Sequence, residues 1–241
     1  MSLSIGVWIW NVRHCEEGDT ARIVAKAKDT GLGHVLIKTN DGRDSYNGTL
    51  RPLVSALQAA GVHVWSWQYT YGFHPLEEAL AFAQRSLALS VDGLCVDAEV
   101  EYLNQPKAAI AYMDALRGNL PQGKAVAVSS YYLPQNHASF PWREFYDRAT
   151  HAMPQVYWYT NAPATALSRS LAQHVKYRSV PVEQWVIPAG TITPAHHSTP
   201  ASVAVFVETA RRAGLPSVNF WSWEHATPEL WEALETSAKE T

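Results

Sequence analysis

Short apolar runs alternate with longer amphipathic stretches from one end of the chain to the other. The runs "IGVWIWNV", "HVLIKTNDG", "VHVWSWQYTYG", "DGLCVDAEVEY", "KAVAVSSYYL", "AMPQVYWYTN", "VEQWVIPAG" and "SVNFWSWEHA" read as strands. Each is followed by a helical pattern: "TARIVAKAKDTG", "LRPLVSALQAAG", "PLEEALAFAQRSLALS", "KAAIAYMDALRGNL", "WREFYDRAT", "PATALSRSLAQHVKY", "SVAVFVETARRAGL" and "PELWEALETSAKE". Gly31 and Gly61 close the first two helices, and Pro75 with two acids behind it opens the third. Strands apolar on both faces belong to a parallel sheet covered by helices. Eight strand–helix pairs in 241 residues predict an α/β fold, a single (β/α)8 TIM barrel spanning residues 1–241. A doubly wound open sheet is the alternative, but no glycine-rich phosphate loop follows the first strand.

In a barrel of this kind the C-terminal strand ends carry the site. Here those ends are polar and aromatic. They supply Trp8, Trp10 and Asn11; Lys38, Asn40 and Asp41; Trp65, Trp67, Gln68 and Tyr69; Asp97, Glu99 and Glu101; Ser129, Tyr131 and Tyr132; Gln155, Tyr157, Trp158 and Tyr159; and Trp221, Trp223, Glu224 and His225. The seventh strand ends in the small, neutral "PAGT".

Composition narrows the chemistry. Hydrophobic residues make up 47% and charged residues 17%, the balance of a chain with a substantial core. A formal net charge of −3 gives no attraction for nucleic acid or for an anionic membrane surface. No apolar run is long enough to span a bilayer. No basic segment followed by a long apolar stretch opens the chain, so the expected location is cytoplasmic unless a leader has been removed. Nothing in the pattern specifies an oligomeric state. The two cysteines, Cys15 and Cys95, are too few for a disulfide framework, and Cys95 reads as a small core residue. Ten histidines are scattered without ligand spacing, so no metal and no cofactor is expected. Ten tryptophans and eleven tyrosines are the unusual part of the inventory, and many lie near strand ends.

The fourth strand runs out into Asp97, Glu99 and Glu101 at alternate positions. Residues two apart on a strand point the same way, roughly 6.5–7 Å apart. With Cys95 inward, Asp97 and Glu99 face the barrel axis, and Glu101 lies further up the rim. Paired carboxylates beside aromatic faces equip a site for glycoside hydrolysis. A carboxyl raised by apolar walls protonates the leaving oxygen, while an ionised one stabilises positive charge. Aromatic faces stack on sugars. On this reading Asp97 and Glu99 are the catalytic candidates. Trp10, Lys38, Trp67, Gln68, Tyr131, Gln155, Tyr157, Trp221 and Glu224 are the candidates for binding a carbohydrate substrate. The plainer reading has the two acids pairing with Lys38 or an arginine.

Asp92, Gly93, Cys95, Asp97 and Glu99 resemble the D-G-x-D-x-D-x-E strand of the family 18 glycoside hydrolases, the chitinase-like barrels. "NFWSWE" resembles their eighth strand, with Trp221 at the position of the tryptophan that floors the sugar site. The resemblance implies Glu99 as general acid and Asp97 as the residue that orients a substrate 2-acetamido group, which attacks in place of an enzyme nucleophile. It also implies a tyrosine at the end of the sixth strand, for which Tyr157 and Tyr159 stand. The chain departs from the pattern twice. Cys95 replaces the first core aspartate, and Trp158 and Thr160 follow the tyrosines where the family has aspartate. Lysozyme-like barrels of family 25 also end this strand in D-x-E, but they carry an aspartate on the first strand, where this chain has Trp8 and Trp10.

Three function classes follow. The leading one is a glycosidase acting on a glycan, with an amino-sugar polymer such as peptidoglycan or chitin as the expected substrate. The second is a carbohydrate-binding barrel that has lost catalysis, motivated by Cys95. The third is a lyase or aldolase that uses Lys38 as a Schiff base.

Overall fold

The computed structural model describes residues 3–240. In chain order its strands are β1 (Ser4–Ile9), β2 (His34–Asp41), β3 (Asp44–Ser45), β4 (His63–Thr70), β5 (Gly93–Ala98), β6 (Ala125–Tyr131), β7 (His151–Gln155), β8 (Ala189–Thr191) and β9 (Ser217–Trp221). All except β3 are parallel to their neighbours, and β1 pairs with both β9 and β2, closing the sheet into a barrel of eight parallel strands. This closure excludes the open doubly wound sheet. The short β3 pairs antiparallel with the end of β2; no apolar run announced it.

The helices are α1 (Thr20–Thr30), α2 (Arg51–Ala59), α3 (Pro75–Leu89), α4 (Pro106–Gly118), α5 (Trp142–Tyr146), α6 (Pro163–His174), α7 (Pro200–Arg212) and α8 (Pro228–Lys239). Proline opens α3, α4, α6, α7 and α8; its fixed φ suits the first turn, where an N–H would go unused anyway. Asp19 caps α1 by accepting from the Arg22 amide, and Thr199 and Ser202 form a capping box on α7. Among the described residues no helix is long and apolar enough to cross a membrane.

Two apolar layers lie between the barrel wall and the helices, and a third fills the bore. The bore holds Trp8, Leu36, Trp67, Cys95, Ala127, Met153, Ile187 and Ala189. It is therefore packed, as small barrels require. Cys95 is fully buried there, and burial holds its thiol well above the usual range. At the N-terminal end, two glycines make room for large rings. A Cβ on Gly6 would lie 2.1 Å from the His34 ring, and one on Gly93 would lie 2.5 Å from Trp65.

Several strands end earlier than the apolar pattern predicts. The fourth predicted strand reaches Tyr102, whereas β5 stops at Ala98. Beyond Ala98 no neighbouring strand offers a partner: β4 ends at Thr70, and the pairing with β6 ends at Asp97. The chain instead folds into a 3-10 turn at Val100–Tyr102, where the Tyr102 amide donates to Glu99 O at 3.1 Å. Likewise Tyr157 lies beyond the end of β7, and Trp223–His225 form a 3-10 turn after β9. The predicted seventh strand shrinks to Ala189–Thr191, preceded by a lone bridge at Val186.

Candidate active site

The site is built at the C-terminal mouth of the bore. Asp97 is paired in register with Tyr69 on β4 and Ser129 on β6. Only 7% of it is exposed. Glu99 follows on the first residue past β5, half-buried. The two carboxylates meet at Gln155, the last residue of β7. Its Nε2 donates to Asp97 Oδ1 at 3.0 Å and to Glu99 Oε1 at 2.8 Å, with Ser129 Oγ at 3.3 Å. A single amide nitrogen thus joins both acids.

Burial raises the Asp97 carboxyl well above the usual range, and the charge of Glu99 adds to the effect. Hydrogen bonds from Ser129 and Gln155 and the charge of Lys38 pull it partly back. Glu99 is raised as well, by burial first; Gln155 opposes the shift and Glu101 reinforces it. Two interacting acids of this kind give up their protons as a pair, not as independent sites. Glu101 accepts from the Tyr69 hydroxyl at 2.8 Å. It is therefore engaged with the cleft wall.

Indoles form the floor. Trp8 lies 5.4 Å from Trp67 and 6.1 Å from Trp221, and Trp67 lies 5.7 Å from Trp221, centroid to centroid. Trp8 Nε1 donates to Asn219 Oδ1 and Trp67 Nε1 to Ile9 O, so the N–H groups of both sealed rings are satisfied. Trp67 is only 2% exposed. It supports the floor from below, which corrects the expectation that it faces a ligand. Trp221 is half-buried, and Trp10, 41% exposed, lies 6.2 Å from it. These two are the indoles open to the cleft. Tyr157 borders the carboxylates, whose charges, after burial, keep its hydroxyl protonated. Tyr131 stacks on His137 at 3.5 Å and is near enough to Glu99 for that charge to raise its hydroxyl further, burial being the larger cause.

Lys38 is nearly buried. Its ammonium lies 3.4 Å from Asp41 and over the rings of Tyr46 (4.6 Å), Trp67 (5.1 Å) and Trp10 (5.8 Å). It pairs with its own strand, not with a β5 carboxylate. An ammonium held by a carboxylate and three ring faces is a poor amine nucleophile. Asn47, which carried no signal in the sequence, ties this corner together by donating to Trp10 O at 2.8 Å and Lys38 O at 2.9 Å.

Two candidates are placed elsewhere. Gln68 faces the helices, fully buried. Its amide donates to Gly42 O at 2.6 Å and Glu78 O at 3.0 Å, and its carbonyl accepts from the Tyr112 hydroxyl. Strand alternation turns it away from the bore that Trp67 and Tyr69 face. Glu224 is drawn off by backbone: its Oε1 accepts from the amides of Trp10 at 2.9 Å and Asn11 at 2.7 Å. It holds the backbone at Trp10, and among the described residues its Oε2 has no hydrogen-bond partner. Among the described residues, no three His, Cys, Asp or Glu side chains converge as a metal-holding group.

No family model matches the chain, and no curated protein does. Solved structures do share its fold. The spore cortex-lytic enzyme SleL of Bacillus cereus superimposes with a TM-score of 0.77 at 7% identity, over 98% of this chain and 74% of that one. A GH18 chitinase from Pseudoalteromonas aurantia gives 0.74 at 13% identity, over 97% and 99% of the two chains. A chitinase from Chromobacterium violaceum gives 0.73 at 11% identity, over the whole of both. The chain has the barrel of these proteins.

Proposed function

We propose that the protein is a glycoside hydrolase that cleaves a glycosidic bond in an amino-sugar polymer of the chitin or peptidoglycan type. The observation that carries this reading is the pair of buried, pKa-raised carboxylates joined by Gln155 above an indole floor. Raising a carboxyl's pKa favours the protonated form that a leaving-group oxygen needs. Glu99, at the more open position, is the proton donor: its proton passes to the glycosidic oxygen as the C1–O bond breaks. Asp97, deeper, with the hydrogen bonds of Ser129 and Gln155 and the charge of Lys38 favouring its ionised form, is the charged partner that orients the 2-acetamido group. The acetamido oxygen closes on C1, and water then opens that ring with Glu99 taking back a proton. Trp221 and Trp10 carry the sugar faces, with Tyr157 at the wall. The fold relatives named chitinases and cortex-lytic enzyme support the substrate class.

Glu99→Gln keeps the shape and removes the titratable proton. It should lower kcat on chitin oligomers or peptidoglycan by roughly 10²–10⁴-fold. On an aryl glycoside, whose leaving group needs little protonation, the loss should be smaller. Turnover of the natural polymer that survives Glu99→Gln sinks the assignment. A second reading is favoured by Cys95. Its buried, protonated thiol leaves Asp97 without a carboxyl beneath it, where the family motif has an aspartate. A barrel that binds these glycans and turns over none of them in the same screen is a carbohydrate-binding protein.

A further inference from the structure

The wall of the cleft formed after β8 and β9 carries imidazoles that the reaction above does not use. His196 stacks on Tyr157 at 5.1 Å with an interplanar angle of 25°, and lies 4.8 Å from the Tyr159 ring. His225 lies 6.4 Å from Trp10. The two rings therefore flank the aromatic surface on the part of the cleft wall that follows β8 and β9. Each is anchored through Nδ1, His196 to Thr191 Oγ1 at 3.0 Å and His225 to Ser222 Oγ at 2.6 Å. Among the described residues neither Nε2 has a hydrogen-bond partner.

Thr191 Oγ1 accepts from the Thr193 amide at 3.2 Å, and the single Ser198 hydroxyl hydrogen lies between Thr191 O at 3.1 Å and Thr191 Oγ1 at 3.4 Å. In the tautomer whose Nδ1 accepts from the Thr191 hydroxyl, the ring proton sits on Nε2, and neutral His196 is an N–H donor on the cleft wall. Burial, with the charges of His225 and His197, holds it below the usual histidine value, so it is neutral at pH 7. Asp97, Glu99 and Glu101 lie on the β5 side of the cleft, where each ionised carboxylate repels an anionic group on a sugar; on the imidazole side the carboxylate of Glu224 is already engaged by the Trp10 and Asn11 amides.

We propose that His196, assisted by His225, forms a subsite for a carboxylate carried by the sugar, which makes the preferred substrate an acidic glycan. This rests on the glycan-cleaving reading and names the substrate class within it. The carboxylate has two possible sources: an ether-linked lactate, as on N-acetylmuramic acid, or the C5 carboxylate of a uronic acid.

The test is calorimetric titration of the full chain carrying Glu99→Gln with three tetrasaccharides. These are chitotetraose, an alternating N-acetylglucosamine–N-acetylmuramic acid tetramer with free lactyl groups, and a hyaluronan tetramer. One of the two acidic ligands should bind about 10- to 100-fold tighter than chitotetraose, the range of a hydrogen bond to a charged group, and which one does so identifies the source. His196→Phe keeps an aromatic ring against Tyr157 and Tyr159 but removes the N–H, so it should erase that preference. Thr191→Val should reduce it by freeing the tautomer, with a thermal melt to confirm that the variant is folded. Binding of chitotetraose with no preference for either acid, or a preference that survives His196→Phe, overturns the subsite alone. Failure of all three ligands to bind overturns the glycan reading and the subsite with it.

Discussion

Gln155→Met isolates the link between the two acids. Methionine has nearly the length of glutamine and no N–H, so the variant removes the 3.0 Å bond to Asp97 and the 2.8 Å bond to Glu99 at little steric cost. Both bonds favour the ionised carboxylates and lower their pKa values. A hydrogen bond to a charged group is worth about 1.5–3 kcal/mol, and one pKa unit is about 1.4 kcal/mol. Because one amide nitrogen is shared, the pair should move upward together by about 1–2 units. In a pH profile of kcat/KM on an aryl glycoside, both limbs should shift to higher pH. The apparent values belong to the pair. Titration of 13C-labelled carboxyl groups by NMR reads the same shift without relying on turnover. A profile unmoved, or moved to lower pH, would refute the claim that Gln155 holds the charge of the pair.

Two further predictions concern stability and binding. Asp97 has a folded pKa above its unfolded value, so its proton favours the native state below the unfolded pKa, and that contribution is lost as pH rises through the folded pKa. Asp97→Asn should therefore raise Tm at pH 7, by about 2–4 °C for each kcal/mol in a chain of this size, and the gain should vanish in acid; a variant less stable at both pH values would contradict this. Trp67→Ala should cost about 3–5 kcal/mol in denaturant titration because the ring is sealed in the bore. Trp10→Ala, at the open rim, should leave stability nearly intact and weaken glycan binding by about 1–2 kcal/mol.

The barrel was legible because its evidence is repeated: eight apolar runs, each followed by an amphipathic stretch, leave little room for another closure. Asp97, Glu99 and Gln155 were legible as members of one rim for the same reason. Their junction was not, since a hydrogen bond between β5 and β7 depends on how far the barrel's tilt brings Gln155 toward β5, and no local pattern encodes that. The polarity of Gln68 suggests the rim, but the phase of β4 decides its side: Trp67 and Tyr69 fix the bore face, and the residue between them must turn outward. The anchoring of Glu224 was not legible because its partners are the amides of Trp10 and Asn11, and backbone donors have no letter in the sequence. The strand ends overshot where apolar residues continue past the last neighbouring strand, as at Val100, which is exposed in the 3-10 turn beyond β5.

The floor of three indoles has an optical consequence. Trp8, Trp67 and Trp221 lie 5.4–6.1 Å apart with their planes inclined at 60–68° to one another. At that spacing their strong electronic transitions do not belong to single rings; they mix, and a skewed, chiral arrangement turns the mixing into paired bands of opposite sign in far-ultraviolet circular dichroism. The protein thus carries an unlabelled exciton reporter directly under its carboxylates. Removing any one indole should leave the couplet of the remaining pair, changed in shape and not only scaled down, and a ligand resting on Trp221 should be visible as a change in the coupling among all three.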